Sequence, residues 1–442
     1  MNEVIGLQDY ILAPLLFIFF AIAGFYYAKY KYGNTPLMRY FVLGLILKMI
    51  GSAMVGAVFI LYYQKGDTLY YYLHSKTLTF VFANDPVHNW IVFFPEFFHD
   101  SIINTPYFPA DYLRKANSYM LVRIAGLLNL FLFDSYFSIA ICFSVFSFIG
   151  SWKLYKVFYY YAPELHKQIA TSTLFLPCLI MWGSGLFKDT LTFGALGILT
   201  YSLHSIAVRK HFKAAYIFYI LISLYLIGVV KPYILMALLP SMVFFQVNSF
   251  SARISSSFVK TTVFPLLILL VIIGSLGILS ILNTTFTAYN LDNMEDKLEG
   301  FQRWHSIRSE QTDGSGYTLG SGGTSPGELL VKFPLAVNVT LFRPYIWEAR
   351  KPIVILAALE SLFVLFVTIQ TFRRVGIKGT IKAFFNDPFI SFCIVFSFIF
   401  AFSIGISSYN FGALVRFKIP CMPFYMMGLY LSQRKLSINY SR

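Results

Sequence analysis

Charge is what this 442-residue sequence has least of: 12% of its residues are Asp, Glu, Lys or Arg, against about 25% in an ordinary soluble domain. With 57% hydrophobic residues and a mean hydropathy of +0.65, that scarcity excludes a chain of soluble domains. It implies an all-α polytopic membrane protein. No gap between apolar runs exceeds roughly 70 residues, too little for a soluble domain of ordinary size. Cysteine is scarce too. Cys142, Cys178, Cys393 and Cys421 all fall in apolar segments with no CxxC or metal spacing, and they read as small core hydrophobes. The first apolar run follows Glu3 and Asp9 instead of a basic stretch and has no small-residue cleavage site, so a removable signal peptide is not expected.

Apolar spans are expected at about 10–28, 40–62, 135–152, 168–183, 188–207, 214–230, 233–248, 262–282, 352–371, 389–406 and 418–433. That is about eleven transmembrane helices in a single transmembrane domain over 1–442, several shorter than the ~20 residues of a perpendicular crossing. The net charge of +15 would suit nucleic acid, but its distribution points elsewhere. One set of loops collects Lys29, Lys31, Arg39, Lys153, Lys156, Lys167, Arg209, Lys210, Lys213, Arg253, Lys260, Arg373, Arg374, Lys378, Lys382, Arg434, Lys435 and Arg442, with only Glu164 and Asp387 opposing them. Under the positive-inside rule these loops are cytoplasmic, with the N-terminus outside and the C-terminus inside. The basic surplus is mostly topology, and no nucleic-acid partner is expected.

Two long outer loops remain. The first, 64–134, is expected to contain interfacial helices at Asn89–Phe98 and at Ser118–Phe133, the latter with Arg123; reading 117–152 as two crossings would put Lys153, Lys156 and Lys167 outside. The second, 283–351, carries a Gly/Ser/Thr-rich stretch at 311–327. That stretch matches neither a P-loop nor a strand–GxGxxG–helix unit, and it reads as a flexible lid over substrate or as a plain linker. Within span two, Lys48 is expected to snorkel to the cytoplasmic face, with a pair to Glu360 as the other choice.

The outer turns collect the chemistry. Gly66-Asp67 follows span two; Trp182-Gly183-Ser184-Gly185-Leu186-Phe187-Lys188-Asp189 breaks the chain at the outer surface; Lys231-Pro232-Tyr233 follows later. Phe342-Arg343-Pro344-Tyr345 and the run from Ser408 to Lys418, with Arg416, complete the set. Arg suits phosphate through bidentate hydrogen bonds and Lys as a point charge. A carboxylate beside them can take a proton from an attacking hydroxyl. Lys188, Lys231, Arg343 and Arg416 are therefore the candidate phosphate binders and Asp67 the candidate base, with Asp85, Asp100 and Asp111 as rivals and Asp189, Tyr345 and Lys418 as further candidates. Each has a blander reading: Asp189 suits the dipole of a first helical turn, and Arg343, Arg416 and Lys418 would meet lipid head groups at any bilayer surface. The loop histidines, His74, His88 and His99, are too widely spaced for a helical metal motif, so no metal site is assigned.

An acid just after an early span, in a first outer loop of interfacial helices, resembles the integral-membrane glycosyltransferases of the GT-C superfamily. The four motifs around Asp67, Lys188, Arg343 and Arg416 are similar to those of bacterial envelope-polysaccharide membrane enzymes of this kind. The resemblance implies a polyprenyl-phosphate-linked sugar as donor, a glycan or lipid as acceptor, Asp67 as base or metal contact, a divalent metal as an open option, and residence in the bacterial cytoplasmic membrane. Asp67 is followed by Thr68 and Leu69, where many of those enzymes carry a paired acid. Two alternatives stand beside the transferase. One is an O-antigen or exopolysaccharide polymerase; the other is a lipid-linked oligosaccharide transporter, disfavoured by how few charges lie deep in the spans.

Overall fold

The computed structural model describes residues 4–93, 116–251, 300, 316–319, 326–349 and 352–440. Among them the chain is helical throughout, with a lone bridge between Gly316 and Asn410 in place of any strand. Two compact units result. The first is Met1–His166 with Thr173–Pro232, the second Lys167–Ser172 with Tyr233–Arg442.

The first unit contains α1 (Leu7–Tyr32), α2 (Pro36–Ala57, continued by a π-helical turn Val58–Tyr63), α3 (Asp67–Asn84), α4 (Ala116–Leu132), α5 (Tyr136–Tyr161), α6 (Lys188–Ala207) and α7 (Ala214–Val230). The second contains α8 (Tyr233–Ser251), α9 (Pro326–Phe342), α10 (Pro352–Asn386), α11 (Pro388–Ser408), α12 (Phe411–Phe417) and α13 (Met422–Tyr440). Among the described residues seven helices are long and apolar enough to cross a membrane: α1, α2 with its π turn, α5, α6, α8, α10 and α11. Ala116–Leu132, Ala214–Val230 and Val331–Phe342 are apolar but shorter. The span expected at 262–282 lies outside the described residues.

Local chemistry sets the helix starts. Ser135 caps α5 by accepting from the Ser138 amide. Asp387 accepts from the amides of Phe389 and Ile390, with Pro388 at the first helical position of α11. Asn410 accepts from Ala413 to start α12. These are the short polar side chains that satisfy orphan amides at a helix start. The run expected as one span at 168–183 is instead broken: short helices at His166–Ala170 and Pro177–Ile180 flank a π turn at Thr171–Phe175, and a turn leads from Met181 to Lys188. Pro177, which has no amide hydrogen, stops one continuous ladder.

Side-chain contacts fix the directions of α1, α2, α5, α6 and α7 in the first unit. Asp9 of α1 accepts from Ser135 and Phe137 at the start of α5, and Tyr32 at its end accepts from Trp152. Lys153 lies over Tyr201 and Tyr160 meets His204, so α5 and α6 run side by side in the same direction. α2 and α7 run the opposite way, shown by Tyr40 beside Tyr155 and by Tyr201 beside Tyr216 with Lys231 on Asp189. One end of this unit therefore gathers Asp9, Asp67, Lys188, Asp189 and Lys231. The other gathers Lys31, Lys153, Lys156, Arg209 and Lys213. Within this unit the residues sorted by charge in the sequence also sort by position in space.

The α5–α6 crossing is a backbone contact. A Cβ at Gly150 would sit 2.2 Å from the Gly194 carbonyl oxygen, and one at Gly197 would sit 2.1 Å from that of Gly150. Close approach through small residues is how helices gain packing energy when lipid removes the hydrophobic drive. Gly150→Val should cost about 2–3 kcal/mol by overpacking, read as a lower unfolding temperature in detergent with α-helical circular dichroism retained below it.

Two further expectations change. The helix expected at 118–133 runs from Ala116 to Leu132 (α4); it is covered on most sides, and its Arg123 is buried against the Tyr119 ring, 5.5 Å from the ring centre. Lys48 does not snorkel. Its side chain is fully buried, and its ammonium donates to Ser147 Oγ at 3.0 Å, to the Leu179 carbonyl at 2.7 Å and to the Gly183 carbonyl at 2.7 Å. A lysine supplied with three protein acceptors has no drive to reach the interface.

Candidate functional site

In the first unit the broken segment before α6 builds the most polar corner. Lys188 opens α6, and its ammonium donates to Asn117 Oδ1 at 3.0 Å and to Ser118 Oγ at 2.8 Å, both at the start of α4. The same ammonium lies 5.9 Å from the centre of the Tyr71 ring. Tyr71 stands one helical turn after Asp67 on α3, which puts Asp67 at the same end of the unit as Lys188. Asp67 is exposed and is the first residue of α3, where the helix dipole favours a carboxylate. Gly66 before it has φ of +138°, a backbone region open to glycine and strained for other residues. Thr68 anchors the helix start through a 2.8 Å hydrogen bond with the Tyr136 hydroxyl.

Behind Lys188, Asp189 and Lys231 form a buried ion pair at 2.5 Å, 3% and 4% exposed. Each charge suits its position, the acid in the first turn of α6 and the cation just past the last turn of α7. A phosphate reaching Lys231 would have to share it with that carboxylate. Among the rival bases, Asp85 caps a short helix, accepting from the His88 amide at 3.2 Å and bonding the His88 ring at 2.7 Å. Those contacts hold its carboxyl below the usual value. Asp100 and Asp111 lie outside the described residues, as does His99.

The second unit brings together Arg343, Tyr345 and Lys418. Arg343 follows α9, and its guanidinium makes a two-pronged ion pair with Glu348, Nε to Oε2 at 3.0 Å and Nη2 to Oε1. Glu348 also accepts from the Tyr345 amide at 2.8 Å. Rings of Phe411, Tyr317 and Tyr345 surround the guanidinium at 5.1, 5.6 and 5.8 Å from their centres. Ser361 of α10 donates to the Arg343 carbonyl at 3.1 Å and accepts from Lys418 at 2.9 Å. Lys418 is fully buried, so it is not a head-group contact in this state. Arg416, half-buried on α12, lies 5.9 Å from the Phe417 ring centre. Tyr345 stacks on Trp347 at 4.9 Å and 26°, and Trp347 is 80% exposed.

Most of the Gly/Ser-rich stretch lies outside the described residues, but Tyr317 within it is pinned. Its hydroxyl donates to the Gly405 carbonyl at 3.0 Å, its ring stacks on Tyr409, and its amide donates to the Tyr409 carbonyl at 3.3 Å. Burial raises its phenol pKa, keeping it a neutral donor.

No protein-family model, no curated protein and no solved structure matches the chain.

Sequence reasoning passed over Tyr71, Asn117 and Ser118 around Lys188, and Tyr317, Glu348 and Ser361 around Arg343. For Glu348 a signal existed: an acid five residues after an arginine, with a turn-forming Pro344 between them. For the others the signal is tertiary. Among the described residues no group of three or more His, Cys, Asp or Glu side chains could hold a metal.

Proposed function

We propose that the chain is a membrane glycosyltransferase of GT-C type. It moves a sugar from a polyprenyl-phosphate-linked donor to a glycan or lipid acceptor on the outer face of the bacterial cytoplasmic membrane. What supports the reading is an exposed carboxylate at a helix start, Asp67, one turn from the Tyr71 ring that lies under the positioned Lys188 ammonium. In the reaction Asp67 accepts the proton of the acceptor hydroxyl as its oxygen attacks the anomeric carbon. The bond from that carbon to the phosphate oxygen breaks, and Lys188 meets the charge growing on the leaving phosphate. Lys231 and Asp189 fix the start of α6 and with it Lys188. Arg343, Tyr345 and Trp347 offer a cation and stacked rings that suit a phosphate and a sugar face. A chain-extending polymerase uses the same chemistry and differs in its product, a ladder of lengths in place of one added sugar.

Asp67→Asn should lower transfer by about a hundredfold or more while the unfolding temperature stays within a degree or two of the parent. Measurement of sugar transfer from a polyprenyl-phosphate donor in reconstituted membranes decides it. Undiminished turnover would remove Asp67 from the chemistry.

The transporter reading gains from one finding. Lys48, Asp189, Lys231, Glu360 and Lys418 are all buried, more interior charge than the sequence suggests, and interior charge is common along transport paths. Movement of a fluorescent lipid-linked glycan across vesicles without any new glycosidic bond would favour it.

A further inference from the structure

At the end of the first unit opposite Asp67, positive charge accumulates on aromatic rings. Lys153 and Lys156 of α5 both lie over Tyr201 of α6, 4.3 and 5.6 Å from its centre. Arg209 lies 5.8 Å from the centre of the Tyr160 ring. The charges acting on Lys156 are Lys153, Lys31 and Arg209, and Lys213 acts on Lys153. Among the described residues no carboxylate forms an ion pair with any of these five. Lys153 and Lys156 are only half-exposed, so water cannot fully screen their repulsion.

A second observation falls at the same place. His204, 7% exposed, packs its ring against Tyr160 and Tyr161 at 4.9 and 5.4 Å. Neither of its nitrogens has a hydrogen-bond partner among the described residues. A buried imidazole with both nitrogens unsatisfied is costly and calls for a polar occupant nearby. Topology alone accounts for basic residues at this end, but it asks only for scattered, solvated side chains. It does not ask for two half-buried ammonium groups on one ring beside an orphan imidazole.

We propose that this end of the first unit is a binding site for a phosphate-bearing anion, gripped by Lys153, Lys156 and Arg209, with Lys31 and Lys213 at its rim. Phosphate is favoured over carboxylate because a guanidinium fork and several point charges together match an anion carrying more than one negative charge. The phosphate arrives either on an anionic phospholipid or as a soluble phosphoryl compound. The site stands apart from the Asp67 corner, and its test does not depend on the transferase reading.

The test uses the full chain in two arms. In phosphatidylcholine nanodiscs it is titrated with inorganic pyrophosphate, following tryptophan fluorescence. In nanodiscs containing phosphatidylglycerol it is examined by native mass spectrometry for retained lipid. One arm should show saturable binding that falls at least tenfold in Lys153→Gln/Lys156→Gln, is kept in Lys153→Arg/Lys156→Arg, and is unchanged in Lys29→Gln, a control on the exposed end of α1. Saturation by pyrophosphate identifies the soluble source, and retained phosphatidylglycerol the lipid. If the glutamine variant does not fold, salt provides the second measurement: parent binding should weaken at least tenfold between 50 and 500 mM sodium chloride. Absence of binding in both arms, or binding indifferent to the double variant and to salt, overturns the proposal.

Discussion

Lys231→Met should destabilise the protein by about 3–5 kcal/mol, Asp189→Leu should cost about as much, and the double variant should recover most of the loss. The pair is almost wholly buried, with its charged atoms 2.5 Å apart. Removing one partner takes from the other charge the ion pair that balances it in a low-dielectric interior. Removing both replaces two desolvated ions with apolar side chains of similar size, which is often neutral or better. Thermal unfolding of the purified protein in detergent reads all three variants. If the double variant loses the sum of the two single losses, the residues are not acting as a pair. The same set separates two roles for Lys231. A structural role predicts that the double variant regains both stability and turnover. A phosphate-binding role predicts that it regains stability alone, with turnover still down.

The legible part of the architecture was whatever composition and charge could decide. Apolar runs identified α1, α5, α6, α8 and α11 to within a few residues at most boundaries, because a membrane crossing must satisfy its backbone internally and so writes itself as a long apolar helix. Charge sorting was legible for a related reason: like charges gather at one end of the first unit, as Lys31, Lys153 and Arg209 do here. What stayed hidden depends on contacts between distant segments. The stretch at 168–183 has the hydropathy of a span, but Pro177 and the π turn at Thr171–Phe175 divide it, and hydropathy does not register a broken ladder.

Site residues divide along the same line. Asp67, Lys188 and Arg343 stand out as candidates because each is a charge at a turn beside an apolar run. Their partners were not, since nothing local ties Asn117 to Lys188 or Ser361 to Lys418 across 71 and 57 positions. The reading of Lys231 and Asp189 as separate candidates missed that each neutralises the other. Opposite charges at a helix start and at a helix end were both visible; that the two ends meet was not.

Lys48→Met should lower stability by about 3–4 kcal/mol and loosen the turn before α6. Hydrogen bonds to a charged group contribute about 1.5–3 kcal/mol each, and Lys48 donates three. Part of that loss is cushioned, because Ser147 also donates to the Gly183 carbonyl at 2.7 Å and would continue to do so. The Leu179 carbonyl loses the ammonium outright. Met fills much the same volume as Lys, so the change isolates the lost donors from any lost packing. The consequence travels by a short route: Leu179 and Gly183 border the turn Met181–Phe187, and that turn sets where α6 begins and hence where Lys188 meets Asn117 and Ser118. Under the proposed function, Lys48→Met should therefore also weaken binding of the polyprenyl-phosphate donor, although residue 48 lies away from Asp67 along α2. Protection of an engineered cysteine at Ser184, buried in the parent, would report the turn directly, with faster alkylation expected in the Met variant. Equal alkylation rates and an unchanged unfolding temperature would show that the buried ammonium does not hold the turn.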